Sequence, residues 1–125
     1  MFILRKILNG RINVSEPLVM QVTTALSAAI AEGTPVTISN GACATASGDV
    51  TVEYVTAAAA PEGATSVPVL LVTRDMIFEV PAVTGLKVGN KYRVTDTGVI
   101  ATAASEGFGA CVIETTTDYA LVRLA

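Results

Sequence analysis

Histidine and tryptophan are absent from this 125-residue sequence, and charged and aromatic residues are scarce. Without histidine the chain lacks the commonest general base and the commonest imidazole metal ligand. A Ser-His-Asp or Cys-His arrangement within one chain is therefore excluded. Lysine and glutamate remain possible bases, so this absence lowers the prospect of enzymatic activity without removing it. We predict a protein that is not an enzyme and has no cofactor.

Sequence motifs for phosphate, dinucleotide and calcium binding are also missing. No Gly-Lys-Ser/Thr exists for a P-loop, Gly107-Phe108-Gly109 lacks the third glycine of a dinucleotide motif, and no Asp-x-Asp pattern occurs. Asp75 and Glu79 would lie about 13 Å apart on an extended strand, which is too far for paired glycosidase carboxylates. We interpret these acids as solvated charges at turns and strand edges.

Only two cysteines occur, and each lies in a β-like segment of small residues: Cys43 between two alanines, and Cys111 between alanine and valine. We favour two buried cysteines that act as small hydrophobic residues. A disulfide would need close Cα atoms and an oxidising setting, and a metal site would need further ligands. Both remain alternatives, and no metal site is predicted.

Long apolar runs are missing as well. No stretch approaches the ~20 residues of a membrane-spanning helix, so no membrane partner is expected. Charges interrupt the opening apolar residues, so we expect no cleaved signal peptide and synthesis in the cytoplasm. The net charge is −3, and the body of the chain is acidic without a basic stripe, which argues against a nucleic-acid partner.

The residues that are abundant favour a β fold. The chain contains 19 Ala, 17 Val and 16 Thr, and Val and Thr suit the pleated surface of a sheet. With so little charge, the surface favours a protein that packs against neighbours. Alternating segments between Gly, Asp and Asn turns predict strands at 18–24, 36–38, 50–54, 67–73, 76–80, 92–95, 99–102, 110–114 and 119–124.

These patterns predict a mainly β chain, a small antiparallel β-barrel or β-sandwich with an N-terminal arm and at most one short helix. The run at 67–73 is nearly all apolar and predicts a strand that is buried on both faces. Residues 57–66 predict an exposed loop. The one helix candidate covers 24–33, with Thr24 as N-cap and Gly33 after its end; alternatively, these residues enter the next strand.

Residues 1–16 form the predicted arm, and 17–125 form a single β domain. Ile3 and Ile7 are four positions apart, which fits one face of a short helix, but an extended strand fits equally well. The arm is apolar and basic, which suits a tether to an acidic partner surface. The alternative is that its cations merely keep it soluble. The predicted partner contacts are Phe2, Ile3, Leu4, Arg5, Lys6, Ile7, Leu8 and Arg11.

One internal similarity links residues 33–46 with residues 89–103. Both segments consist of a turn, an alternating strand, a glycine turn and a strand of small residues. We expect two similar hairpins on one sheet system.

The chain resembles a known family in four segments: 85–94 (GLKVGNKYRV), 98–103 (GVIATA), 109–114 (GACVIE) and 119–124 (YALVRL). They look like the closing part of small tailed-bacteriophage capsid decoration (cement) proteins, and 33–36 (GTPV) with 41–42 is similar to their earlier strands. The resemblance covers roughly residues 33–125. It is a similarity in the pattern of residues, with no invariant motif.

The resemblance implies a structural protein on the capsid exterior of the virion. Such a protein binds the outside of the phage head at junctions between major capsid subunits, so the expected partner is the major capsid protein. A homo-oligomer is expected, with a trimer favoured. The alternatives are a tail- or fibre-associated β-module of a phage particle that binds a receptor or partner, and an accessory domain of an enzyme.

Overall fold

A computed structural model describes residues 1–8 and 17–124 of the chain. Eleven strands and no helix occur within these residues, which confirms the predicted mainly β class. The strands are β1 Ile3–Ile7, β2 Leu18–Gln21, β3 Pro35–Ser39, β4 Ala42–Thr45, β5 Tyr54–Thr56, β6 Ser66–Leu71, β7 Met76–Pro81, β8 Lys91–Val94, β9 Val99–Ala103, β10 Ala110–Thr115 and β11 Tyr119–Arg123.

The strands form two sheets in a sandwich-like arrangement that does not close into a barrel. The six-stranded sheet has the order β1-β7-β11-β10-β8-β9, and the five-stranded sheet has the order β2-β6-β5-β3-β4. Every pairing is antiparallel. The start of the predicted arm is thus an extended strand rather than a helix, and β1 pairs with β7.

The two sheets repeat one five-strand arrangement. We call β2–β6 the first repeat and β7–β11 the second repeat. In both repeats the first strand in sequence lies beside the fifth, followed by the fourth, the second and the third. Strand β1 is the additional strand, and it lies on the outer edge of β7.

The register of the two repeats also agrees. Corresponding residue pairs between the second and fourth strands are displaced along the chain by one constant number of positions. These pairs are Pro35–Val55 with Lys91–Cys111, and Val36–Tyr54 with Tyr92–Ala110. Between the first and fifth strands, Leu18–Val69 corresponds to Phe78–Val122. The repeat therefore extends to individual residues, although few side chains are shared.

A glycine before the second strand holds equivalent hydrogen bonds in both repeats. The Gly33 N–H donates to the Thr56 carbonyl oxygen at 2.9 Å, and the Gly89 N–H donates to the Val112 carbonyl oxygen at 2.8 Å. Both glycines adopt positive φ, 74° and 90°, a conformation that other residues rarely adopt. This shared turn explains why the sequence similarity begins at these two glycines.

The two predicted hairpins form, but on different sheets. The β3–β4 hairpin ends the five-stranded sheet and the β8–β9 hairpin ends the six-stranded sheet. The expectation of one shared sheet system is wrong, because each hairpin belongs to its own repeat.

The core lies mainly against one face of the six-stranded sheet. Met76, Phe78 and Val80 share this face, as their alternation predicts, and all three are buried. Val55 of the five-stranded sheet packs into the same core. Its neighbour Tyr54 points to the opposite face and packs against a second cluster. Strand β5 therefore joins both clusters.

The helix predicted over 24–33 does not form. Leu26 and Ile30 are both buried, and their four-residue spacing arises because each covers the second cluster. Their backbone N–H groups donate to carbonyls of the 57–65 segment, at Ala64 and Ala60, instead of closing helical turns. Ala60 is itself buried, so the loop predicted as exposed is partly a cover for this sheet.

Two strand predictions also need correction. Strand β6 is fully buried on one face only: Val67 and Val69 are buried, whereas Pro68 and Leu70 on the opposite face are half-buried. The strand predicted at 50–54 begins only at its last residue, because the backbone before it bonds to the second repeat. The Gly109 N–H of that repeat, for example, donates to the Val50 carbonyl at 3.3 Å.

We expect Phe2→Ala to lower the free energy of unfolding by about 3 kcal/mol, because it removes a buried aromatic ring and leaves a cavity. Phe2 is 2% exposed, and its ring packs edge-on against Phe78. The measurement is chemical denaturation of both proteins. Ile3→Ala is the matched control, because Ile3 is 40% exposed and should cost less than about 1 kcal/mol. Equal midpoints for the two variants would contradict this account.

Candidate interaction surfaces

Phe2, the predicted aromatic partner contact, belongs to the chain's own core. Its ring centroid lies 6.3 Å from that of Phe78, and its N–H donates to the Gly33 carbonyl at 2.8 Å. Leu4 and Ile7 also pack against this core and are half-buried. The fold itself buries the Phe2 ring, and a partner-contact role for this residue stays a prediction.

The charged residues of β1 face outward. Arg5 forms an ion pair with Glu79 of the neighbouring strand, and its guanidinium carbon lies 5.9 Å from the centroid of the Tyr119 ring. Lys6 is exposed, and Ile3 is 40% exposed. These side chains remain accessible at the edge of the six-stranded sheet.

The last two predicted partner contacts of the arm are Leu8 and Arg11. The Leu8 N–H donates to the Asp75 carbonyl at 2.7 Å, and its side chain is half-buried. Arg11 lies outside the described residues. A partner-binding role for the accessible residues of β1 stays a prediction.

Strand β2 presents an edge that no other strand in the described part of the chain pairs with. Its inner side pairs with β6, where Val19 lies opposite Pro68. Proline has no N–H, and the Pro68 carbonyl accepts a hydrogen bond from the Ala57 N–H on the other side. Val19 and Pro68 are therefore a non-hydrogen-bonded pair, so the Val19 N–H and C=O point away from β6, toward the free edge.

Three of the four side chains of β2 are apolar. Leu18 and Val19 are 47% and 54% exposed, and Leu71 of the neighbouring strand β6 is 52% exposed. Sequence reasoning identified β2 as a strand but did not identify its edge as a surface. The available signal was the segment LVMQ, which contains no charge although it lies at the boundary of the domain.

A cavity of about 560 Å³ separates β1 from the five-stranded sheet. Its lining includes the whole of β1, together with Glu32, Thr56 and Leu70. Thr56 is already hydrogen-bonded through its hydroxyl to the Ala31 carbonyl at 2.7 Å. The Thr56 hydroxyl also accepts a hydrogen bond from the Thr34 N–H at 2.9 Å, so it is engaged with backbone groups and not with a general base.

The cysteines are free thiols on different sheets, Cys43 on β4 and Cys111 on β10. Both are half-buried rather than buried, so the expectation of two core cysteines is wrong in degree. Partial burial raises the pKa of the Cys43 thiol. No group of three or more Cys, Asp or Glu side chains in residues 1–8 and 17–124 could hold a metal ion.

Asp49 connects the two repeats. Its carboxylate accepts hydrogen bonds from the Ser105 N–H at 3.0 Å and the Ser105 hydroxyl at 2.9 Å. Arg93 lies 3.4 Å from the same carboxylate. The hydrogen bonds from Ser105, followed by the charge of Arg93, lower the pKa of Asp49 below its ordinary value. This contact is structural, since it fastens the segment after β4 to the loop after β9.

Comparison with known proteins adds no family assignment. The chain matches no protein-family model, and neither the curated proteins nor the solved structures contain a significant match. Within the described residues, no helix is long and apolar enough to cross a membrane.

We expect Asp49→Ala to destabilise the protein at pH 7 and to have a smaller effect in acid. A carboxyl group with a lowered pKa stabilises the fold above its ordinary value of 3.8, and this contribution disappears as the pH falls through the folded-state pKa. Denaturation midpoints at pH 7 and pH 3 measure the difference. Asp96→Ala is the control, since that side chain makes no ion pair or hydrogen bond within the described residues. A difference that does not depend on pH would contradict the assignment.

Proposed function

We propose that this chain is a capsid decoration (cement) protein, which binds the outer surface of a bacteriophage head and bridges major capsid subunits. The observation that carries the proposal is the apolar edge of β2, which no other described strand pairs with. A strand edge with unpaired N–H and C=O groups is a template for pairing with an extended segment of another protein. The resemblance of residues 33–125 to cement proteins supports the choice of partner.

The other sheet edges are better protected against such pairing. Strand β1 carries Arg5 and Lys6 and has a register shift against β7. Strand β9 has a register shift against β8. Charge and bulges are the usual devices that keep an edge strand from pairing. Strand β4 has neither, but its side chains are small, whereas Leu18 and Val19 of β2 are large, apolar and exposed. Strand β2 has neither a charge nor a register shift.

The second repeat contains a direct precedent for strand addition. Val19 of β2 corresponds to Glu79 of β7, and Glu79 lies opposite Ile3 of β1. The chain therefore already accepts an antiparallel strand at this position of one repeat. We propose that a segment of the major capsid protein pairs at the corresponding position of the other.

The mechanism is thermodynamic rather than chemical. A protein that binds the assembled shell but not its free subunits adds its binding free energy to the assembled state. Linked copies on a symmetric lattice gain avidity from a modest individual affinity. In the proposal, a homo-oligomer of the chain, with a trimer favoured, supplies several copies of the β2 edge to neighbouring subunits. The exposed residues of β1 provide additional contacts.

We expect Val19→Pro to abolish binding to purified heads while the protein stays folded. Proline removes the N–H that points toward the partner, but the bonds between β2 and β6 remain because the Val19–Pro68 pair makes none. The measurement is co-sedimentation of the variant with heads that lack the wild-type protein. Val19→Thr is the matched control, since it keeps the N–H and should bind. Full occupancy by folded Val19→Pro would refute the role of this edge.

Copy number separates the two phage candidates. A decoration protein is present in hundreds of copies on each particle, whereas a tail or fibre module is present in a few. Densitometry of purified particles, with the major capsid protein as reference, gives the ratio. A few copies per particle would favour the tail-associated alternative and contradict the decoration role.

A further inference from the structure

A depression of about 310 Å³ on the outer face of the six-stranded sheet is lined by three basic residues and by no acidic side chain. We call Arg74, Lys91 and Arg123 the basic cluster. They are three of only eight basic residues in a chain with eleven acidic ones. So strong a concentration in one place is not expected from the composition alone.

The strand register brings two members of the basic cluster together. Cys111 of β10 lies opposite Lys91 of β8 on one side and opposite Arg123 of β11 on the other. Adjacent strands are about 4.8 Å apart, so the Cα atoms of Lys91 and Arg123 are about 10 Å apart with the cysteine between them. Arg74 completes the cluster from the connection between β6 and β7.

Among the described residues, the basic cluster lacks counter-ions, whereas two other arginines of the same sheet have them. Arg5 pairs with Glu79, and Arg93 pairs with Asp49. Within residues 1–8 and 17–124, no member of the basic cluster has an acidic partner within ion-pair distance. Like charges held close together repel one another, and a bound anion would remove this cost.

The first repeat indicates that the fold does not require charge at these positions. The residues that correspond to Lys91, Cys111 and Arg123 are Pro35, Val55 and Leu70. Pro35 and Val55 are buried and contribute to packing. These three cross-strand positions therefore serve packing in the first repeat. In the second repeat they present two cations on either side of a thiol, which points to a role in binding.

We propose that this depression binds the carboxylate of an acidic protein segment. Arginine presents a planar set of donors that matches a carboxylate, and the volume suits one or two side chains rather than a long polymer. This proposal does not depend on the decoration role, since it concerns the isolated chain.

The test is binding of a fluorescein-labelled hexaglutamate peptide to the purified protein at low salt, measured by anisotropy. We expect Lys91→Gln and Arg123→Gln each to weaken binding about tenfold, since each removes a charged hydrogen-bond donor, and the double variant to weaken it further. Lys87→Gln is the matched control, because Lys87 is an exposed cation outside the depression. Its affinity should equal that of the wild type.

Alkylation of the cysteines locates the bound peptide. We expect hexaglutamate to slow the reaction of Cys111 with iodoacetamide and to leave the rate at Cys43 unchanged, since Cys43 lies on the other sheet. Mass spectrometry follows both sites in one sample. This readout reports the depression itself, whereas anisotropy reports total binding.

Several outcomes would overturn the proposal. They are unchanged affinity in the folded double variant, an equal loss in Lys87→Gln, or unprotected Cys111 at saturating peptide. Competition with unlabelled ligands gives a further outcome. If inorganic phosphate or oligothymidylate displaces the labelled peptide at a lower concentration than unlabelled glutamate oligomers do, the depression prefers a phosphate to a carboxylate. Binding of the double variant to phage heads is measured separately, so failure here is distinguishable from failure of the decoration role.

Discussion

Backbone hydrogen bonding of the strand that begins each repeat determines the architecture of this protein. A strand has two sides, and in each repeat the first strand uses one side to pair with the fifth. In the second repeat the other side of β7 is satisfied by β1, which also brings Phe2 into the core against Phe78. In the first repeat the corresponding side of β2 remains open among the described strands. The difference between the repeats thus arises from a single additional strand.

Short-range patterns predicted most strands because their signal is local. Tyr92 and Val94 alternate with polar neighbours, and this pattern alone defines β8 with its buried face. The helix prediction failed because a four-residue spacing is also produced by an irregular segment that covers a sheet at regular intervals, as Leu26 and Ile30 do. The strand predicted at 50–54 failed since its backbone bonds to the distant second repeat, which no local pattern reveals.

The candidate surfaces were harder to predict than the strands, because they depend on pairing between distant segments. Nothing local indicates that Val19 lies opposite Pro68, and this pairing is what directs the Val19 backbone outward. Likewise, Lys91 and Arg123 are far apart in sequence and meet only across β10. The N-terminal residues did stand out in the sequence, but Phe2, Leu4 and Ile7 pack against the internal core. Sequence hydrophobicity alone does not distinguish a buried strand from a binding arm.

Among the described strands, β1 covers the edge of the second repeat and no strand covers the corresponding edge of the first, so the two sheets differ in their capacity to accept a further strand. Pairing at β2 would extend the five-stranded sheet by one foreign strand, while the charged and bulged outer edge of β1 discourages any extension of the other sheet. If β2 pairs as proposed, the six-stranded sheet offers no equivalent edge at β1 through which the pairing could pass to a further molecule.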